Sequence, residues 1–153
     1  NSAFFAFLQS NEAQKIISDK GYVSIVDDAV DYTIDGSLSG SIDVSGSTSL
    51  QPLMIELSAA FEKLQANVKV NVSGGGSGTG YKSAEEGVSA FGMISEEFTP
   101  EKAPTCTSYE VCKDGIAAIV NKDNTIESIT MEQLKNNYDA KPQAATQWNE
   151  IIK

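Results

Sequence analysis

Residues 68–90, VKVNVSGGGSGTGYKSAEEGVSA, decide the fold of this chain. Val68, Val70 and Val72 alternate with polar residues, the two-residue period of a half-buried strand. Gly74-Gly75-Gly76-Ser77-Gly78-Thr79-Gly80 then places five glycines in seven residues, and a segment able to form a helix follows. Glycine lets the backbone approach a ligand closely and turn its N–H groups inward. The start of the next helix adds unpaired N–H groups and the positive end of its dipole. Strand, glycine loop and helix in that order predict a cradle for a small anion. Gly/Ser composition alone also describes a flexible linker, but the strand directly before and the helix directly after argue against it.

The same grammar occurs one unit earlier. Residues 41–45 alternate as a strand, Gly46-Ser47-Thr48-Ser49 turns, and residues 50–64 carry a helical stripe of Leu53, Leu57, Ala60, Phe61 and Leu64. Pro52 suits the first turn of that helix, where its missing N–H costs nothing. Two such units in succession imply parallel strands with right-handed crossovers, and so an α/β fold with a mostly parallel sheet flanked by helices. Ligands in open sheets of this class sit beyond the carboxyl ends of the strands, where both turns fall.

Around this centre, residues 3–9 and 11–19 read as helices, the second opened by Asn11 and Gln14 at capping-box spacing and stopped by Gly21. Residues 22–25 are extended, and 27–41 hold four aspartates among small residues and form a connector. Residues 91–94 predict a third strand ending at Ser95, 96–114 are irregular, and the apolar run GIAAIV at 115–120 predicts a buried strand. Thr130 and Gln133 open a last helix over 131–138. The opening NSAFFAFL is as apolar as the middle of a folded element, which reads as a piece of a longer protein.

Composition narrows the chemistry. The chain has 153 residues, enough for one domain with a core, and a net charge of −10 with all eleven basic residues lysine. No basic stripe exists for nucleic acid. An acidic protein still binds an anion when neutral donors in a closed site do the work. There is no histidine, which removes histidine-based triads and most transition-metal sites. Cys106 and Cys112 match no common zinc spacing, and a disulfide or two separate thiols both fit them. No cofactor or metal is expected.

The glycine loop is not a P-loop. Gly75 and Gly80 are correctly separated, but Tyr81 stands where the phosphate-binding lysine is required. A serine nucleophile lacks a base. Glu85, Glu86, Glu96 and Glu97 are more simply solvated surface than acid–base pairs. Ser47, Thr48, Ser49, Ser77, Thr79 and Ser95 cluster at or near strand ends, where turn-forming and capping roles are ordinary. Several such hydroxyls on adjacent strands point to a ring of donors for an oxyanion.

Taken together, GSTSLQPL at 46–53, VNVSGGGSGTG at 70–80 and EGVSAFGMIS at 86–95 resemble the phosphate-binding receptors of bacterial ABC importers. KDGIAAIVNKDNTI, TMEQLKNNY and WNEI continue the likeness, which covers about residues 41–153. The resemblance implies a type II periplasmic-binding-protein fold of two α/β lobes that close over the ligand. It implies a non-enzymatic receptor for inorganic phosphate, extracytoplasmic and membrane-anchored, delivering to an ABC permease. Its phosphate contacts fall on Thr48, Ser49, Ser77 and Ser95. Some members carry an aspartate at the last position, where it accepts the phosphate's proton; Ser95 is the weaker acceptor. Many relatives have an arginine where this chain has Glu96.

Residues 3–25, by contrast, resemble the other end of such a receptor. The expected organisation is therefore a tail-like segment of a preceding repeat at 1–26, a linker at 27–40, a first ligand-binding lobe at 41–118, and a hinge strand with the start of an incomplete second lobe at 119–153. A tail before a head implies tandem repeats or a permuted order, with residues 3–25 packing on the lobe of their own chain or, by self-association or domain swapping, of a neighbour. Alone, such a chain is expected to bind phosphate poorly. A receptor for another oxyanion, and an extracellular scaffold that kept the fold, are the competing readings.

Overall fold

A computed structural model describes residues 1–115, 117 and 119–138 of the chain. It divides into two units, Asn1–Gly115 and Ile116–Lys153.

The first unit is built on three parallel strands, β1 (Gly40–Gly46), β2 (Val68–Ser73) and β3 (Phe91–Met93), in the order β2-β1-β3. Helix α1 spans Ser2–Leu8, α2 Asn11–Asp19, α3 Gln51–Leu64 and α4 Ser77–Glu85. The strand–turn–helix grammar thus folds as its periodicity predicts. Leu53, Leu57 and Phe61 of the α3 stripe are buried, joined by Met54 and Ser58, while Ala60 and Leu64 lie at the margin of the core. Pro52 occupies the first turn. Lys63 stands in the last turn of α3, where its charge complements the dipole.

Residues 3–25 pack into this unit rather than away from it. Phe4, Phe7, Leu8, Ala13 and Ile17 are buried in one core with Ile42, Val44, Leu57, Phe61 and Val70. The ring of Phe4 meets Phe61 edge-on at 5.0 Å and Phe91 at 5.7 Å. Val23 exchanges an antiparallel bridge with Lys113. The connector has no regular structure, yet Tyr32 anchors it. Its ring packs on Phe7 and Phe61, and its N–H donates to Glu12, which holds the Glu12 carboxyl below the usual range.

Two expectations are corrected. Helix α2 is capped by Ser10, whose Oγ accepts from the Ala13 N–H and donates to the Phe7 carbonyl, not by an Asn11–Gln14 box. Gln14 turns inward instead, donating to the Leu8 carbonyl and accepting from Ser24. The run at 115–120 forms no strand in its described residues. Ile119 is 90% exposed, whereas a continuous apolar strand of this kind requires both faces buried.

Cys106 and Cys112 are separate thiols. Burial raises the pKa of both, and Glu85 adds to the effect at Cys106. In the second unit, helix α5 (Met131–Tyr138) opens with the expected capping box. Thr130 and Gln133 exchange bonds between side chain and backbone N–H, at 2.8 and 3.1 Å. The WNEI motif lies outside the described residues.

Candidate functional site

Strand register sets the site. Ser45 pairs with Ser73 and Gly46 with Met93, so the three strands end level and the turns leaving them share one edge. From central β1 the chain goes to β2 on one side, then to β3 on the other. In open α/β sheets the gap between such oppositely directed connections holds the ligand.

Short bonds tie the three turns together. After β1, the Ser47 N–H donates to the Met93 carbonyl at 2.8 Å, and Ser47 accepts from Gln51 N–H at 3.1 Å. In the glycine loop, the Gly76 N–H donates to the Gly46 carbonyl at 2.9 Å. Gly75 and Gly76 carry φ of 140° and 84°, a region that side chains disfavour. After β3, the Ser95 N–H donates to Ser77 Oγ at 3.2 Å, and the two hydroxyls lie 3.4 Å apart. Thr79 and Gly80 N–H groups bond the Gly76 carbonyl, which leaves those of Ser77 and Gly78 without an intrahelical acceptor at the positive end of α4.

Helix α4 reaches this edge because glycine lets it lie directly on the strands. A Cβ on Gly46 would stand 2.8 Å from Gly80 Cα and overlap the Met93 carbonyl, and a Cβ on Gly80 would overlap the same oxygen. Below the contact, buried Ser45 bonds Ser83 at 2.6 Å and Ser89 at 2.9 Å, and Ser83 donates to the Thr79 carbonyl at 2.8 Å. Tyr81 holds the segment after Ser95. Its hydroxyl donates to the Glu97 carbonyl and accepts from the Thr99 N–H, and its ring stacks on Phe98. Sequence reasoning missed these two supports. The signals were polar: a serine inside an otherwise buried strand end, and a tyrosine inside the glycine-led helix.

Of the expected contacts, the structure brings Ser77 and Ser95 together. Thr48 and Ser49 are exposed on the neighbouring turn, with Thr48 Cγ2 packed against Gly74. Two of the nearby carboxylates are engaged by donors. Glu96 bonds Lys102 at 2.9 Å, which raises the lysine's pKa, and Glu85 accepts from Thr105. The edge therefore offers neutral donors, suited to an oxyanion.

A family model described as a PBP superfamily domain matches residues 31–152. The chain belongs to the PBP superfamily. Its motif resemblance to phosphate-binding receptors is matched by homology to proteins of that name. It is 32% identical over 148 residues to phosphate-binding protein PstS 2 of Streptococcus pneumoniae, covering 97% of this chain and 50% of that protein. With PstS 2 of Streptococcus agalactiae it shares 30% over 151 residues, covering 98% and 50%. With PstS of Bacillus subtilis it shares 32% over 117 residues, covering 74% and 38%. The crystal structure of a phosphate-binding protein of a phosphate ABC transporter from Streptococcus pneumoniae superposes with a TM-score of 0.89 at 31% identity, covering 98% of this chain and 57% of that one. This PBP superfamily chain thus spans about half the length of the curated relatives it matches, and its α/β architecture is theirs.

Proposed function

We propose that this chain carries one lobe of an extracytoplasmic receptor that binds inorganic phosphate and passes it to an ABC permease in the membrane. The relatives' names supply the ligand class, and the carrying observation is the Ser77–Ser95 pair at the level ends of three parallel strands. Ser77 accepts the Ser95 N–H with one lone pair, which leaves its own hydroxyl proton available to donate to a ligand. Thr48, Ser49 and the Ser77 and Gly78 N–H groups complete the donors of this lobe. The role is binding and release, not chemistry, with lobe closure as the delivery step. Among the described residues no helix is long and apolar enough to cross a membrane.

In this reading residues 41–118 are the first lobe and 119–153 lead into the second. Residues 1–26 are a tail that packs on the first lobe across the 27–40 linker. The alignment with the pneumococcal protein runs through 97% of this chain, so a relative carries tail and head in the same order.

Calorimetric titration of phosphate into the full-length protein tests the reading. Ser77→Ala should weaken binding about tenfold or more, the worth of one hydrogen bond to a charged group, while the loss of the exposed Ser95 N–H bond lowers the unfolding midpoint only modestly. Equal affinity in the variant would remove Ser77 from the site. Ser95 offers a hydroxyl where a carboxylate would select a protonated anion, which favours sulfate as the second ligand to titrate.

A further inference from the structure

Gln51 opens α3 directly after the Thr48–Ser49 turn, and its side chain crosses to the glycine loop. A Cβ built on Gly74 would stand 2.6 Å from Gln51 Oε1, 3.3 Å from its Cδ and 3.3 Å from Thr48 Cγ2. The carboxamide therefore lies over Gly74, spanning the two turns that carry the proposed ligand contacts. Gly74 differs from its neighbours in what it needs. Gly75 and Gly76 have positive φ, whereas Gly74 does not, so its backbone conformation is open to any residue. Its lack of a side chain serves space, and the Gln51 carboxamide fills that space.

That carboxamide is also unlike the chain's structural glutamines. Buried Gln14 and Gln65 are engaged with the backbone or with a tyrosine hydroxyl. Half-buried Gln51 makes no side-chain hydrogen bond among the described residues. A polar end lying over Gly74, with its donors unspent, stands at the same edge as Ser77.

We infer that Gln51 is a further anion-binding residue of this site: its carboxamide N–H donates to the oxyanion held between the Thr48–Ser49 turn and the glycine loop, and Gly74 is glycine to admit it. The inference rests on the phosphate reading. An amide suits the task, since it donates at every pH and adds no charge that binding must desolvate.

Titration of inorganic phosphate into the full-length protein and its variants decides it. Gln51→Ala should weaken binding about tenfold. Gly74→Ala should do the same, because the added methyl takes the carboxamide's place. The double variant should bind within about twofold of Gln51→Ala, the signature of two changes acting through one group. Gln51→Glu should bind more weakly than either, with a carboxylate facing the anion. Unfolding midpoints without phosphate should stay near the parent's. Parent-like affinity in Gln51→Ala and Gly74→Ala, with Ser77→Ala still impaired, overturns the role of Gln51 and leaves the phosphate reading standing. Additive losses in the double variant also overturn it. A parent protein that binds no phosphate takes down both.

Discussion

At the scale of single residues, the glycines divide by what surrounds them. Gly78 and Gly80 are both in α4, two positions apart, and neither has positive φ. Alanine is favoured over glycine inside a helix by about 1 kcal/mol. Nothing lies within 4 Å of a Cβ on Gly78, so Gly78→Ala should raise stability by up to about that amount. A Cβ on Gly80 meets the Met93 carbonyl oxygen, which cannot retreat without losing the Ser47 N–H. Gly80→Ala should therefore lose about 1–3 kcal/mol, as overpacking does. Urea unfolding of the two variants reads the sign directly, and two shifts in the same direction would contradict it. The sequence showed a glycine-rich loop of the anion-cradle kind. It did not show that Gly46, Gly80 and Gly92 would meet, because that contact depends on the sheet order rather than on local pattern.

At the scale of elements, amphipathic period and turn chemistry made the strands and helices legible, and side chains with two available roles were what misled. Asn11 and Gln14 have capping-box spacing, but the Gln14 amide serves the Leu8 carbonyl and Ser24, and Ser10 is one residue better placed. The GIAAIV run carries the composition of a buried strand, but composition does not supply the neighbours that bury it. Between α3 and β2 a single glutamate acts as a clasp. Glu62 accepts from the Val70 N–H at 2.8 Å and from Lys69 at 2.9 Å, and these bonds lower its pKa from the ordinary 4.5. A carboxyl whose folded pKa is depressed stabilises the fold fully above its unfolded pKa, and that stability is lost as the pH falls through the folded value. Glu62→Gln should thus be less stable than the parent at pH 7, with the difference shrinking towards about pH 3. Urea midpoints at the two pH values test this, and a gap independent of pH would refute the charged clasp.

At the scale of the whole first unit, the decisive fact is that residues 1–25 supply half of an aromatic core. The likeness of this stretch to the far end of a receptor was legible, and so was the choice between packing here or elsewhere. The answer was not, since Phe4 and Phe61 meet across a separation that no local pattern encodes. Phe4 is fully buried and touches the rings of Phe7, Phe61 and Phe91. Phe5, its neighbour, is only half-buried and packs at a tilt against exposed Tyr109. Truncating a buried phenylalanine costs about 3–5 kcal/mol, a large part of the roughly 5–15 kcal/mol that holds a domain together. Phe4→Ala should therefore bring the unit near its unfolding threshold while Phe5→Ala lowers the midpoint only modestly. Deleting residues 1–25 removes Phe7, Leu8, Ala13 and Ile17 as well, and exposes the apolar surfaces of α3 and of Phe91 in β3 that this segment packs against. That deletion should abolish the cooperative thermal transition followed by circular dichroism, because a three-stranded sheet with one open face has too little buried apolar surface to offset its chain entropy. A cooperative transition retained by residues 26–153 would mean that the amino-terminal helices decorate the lobe rather than complete it.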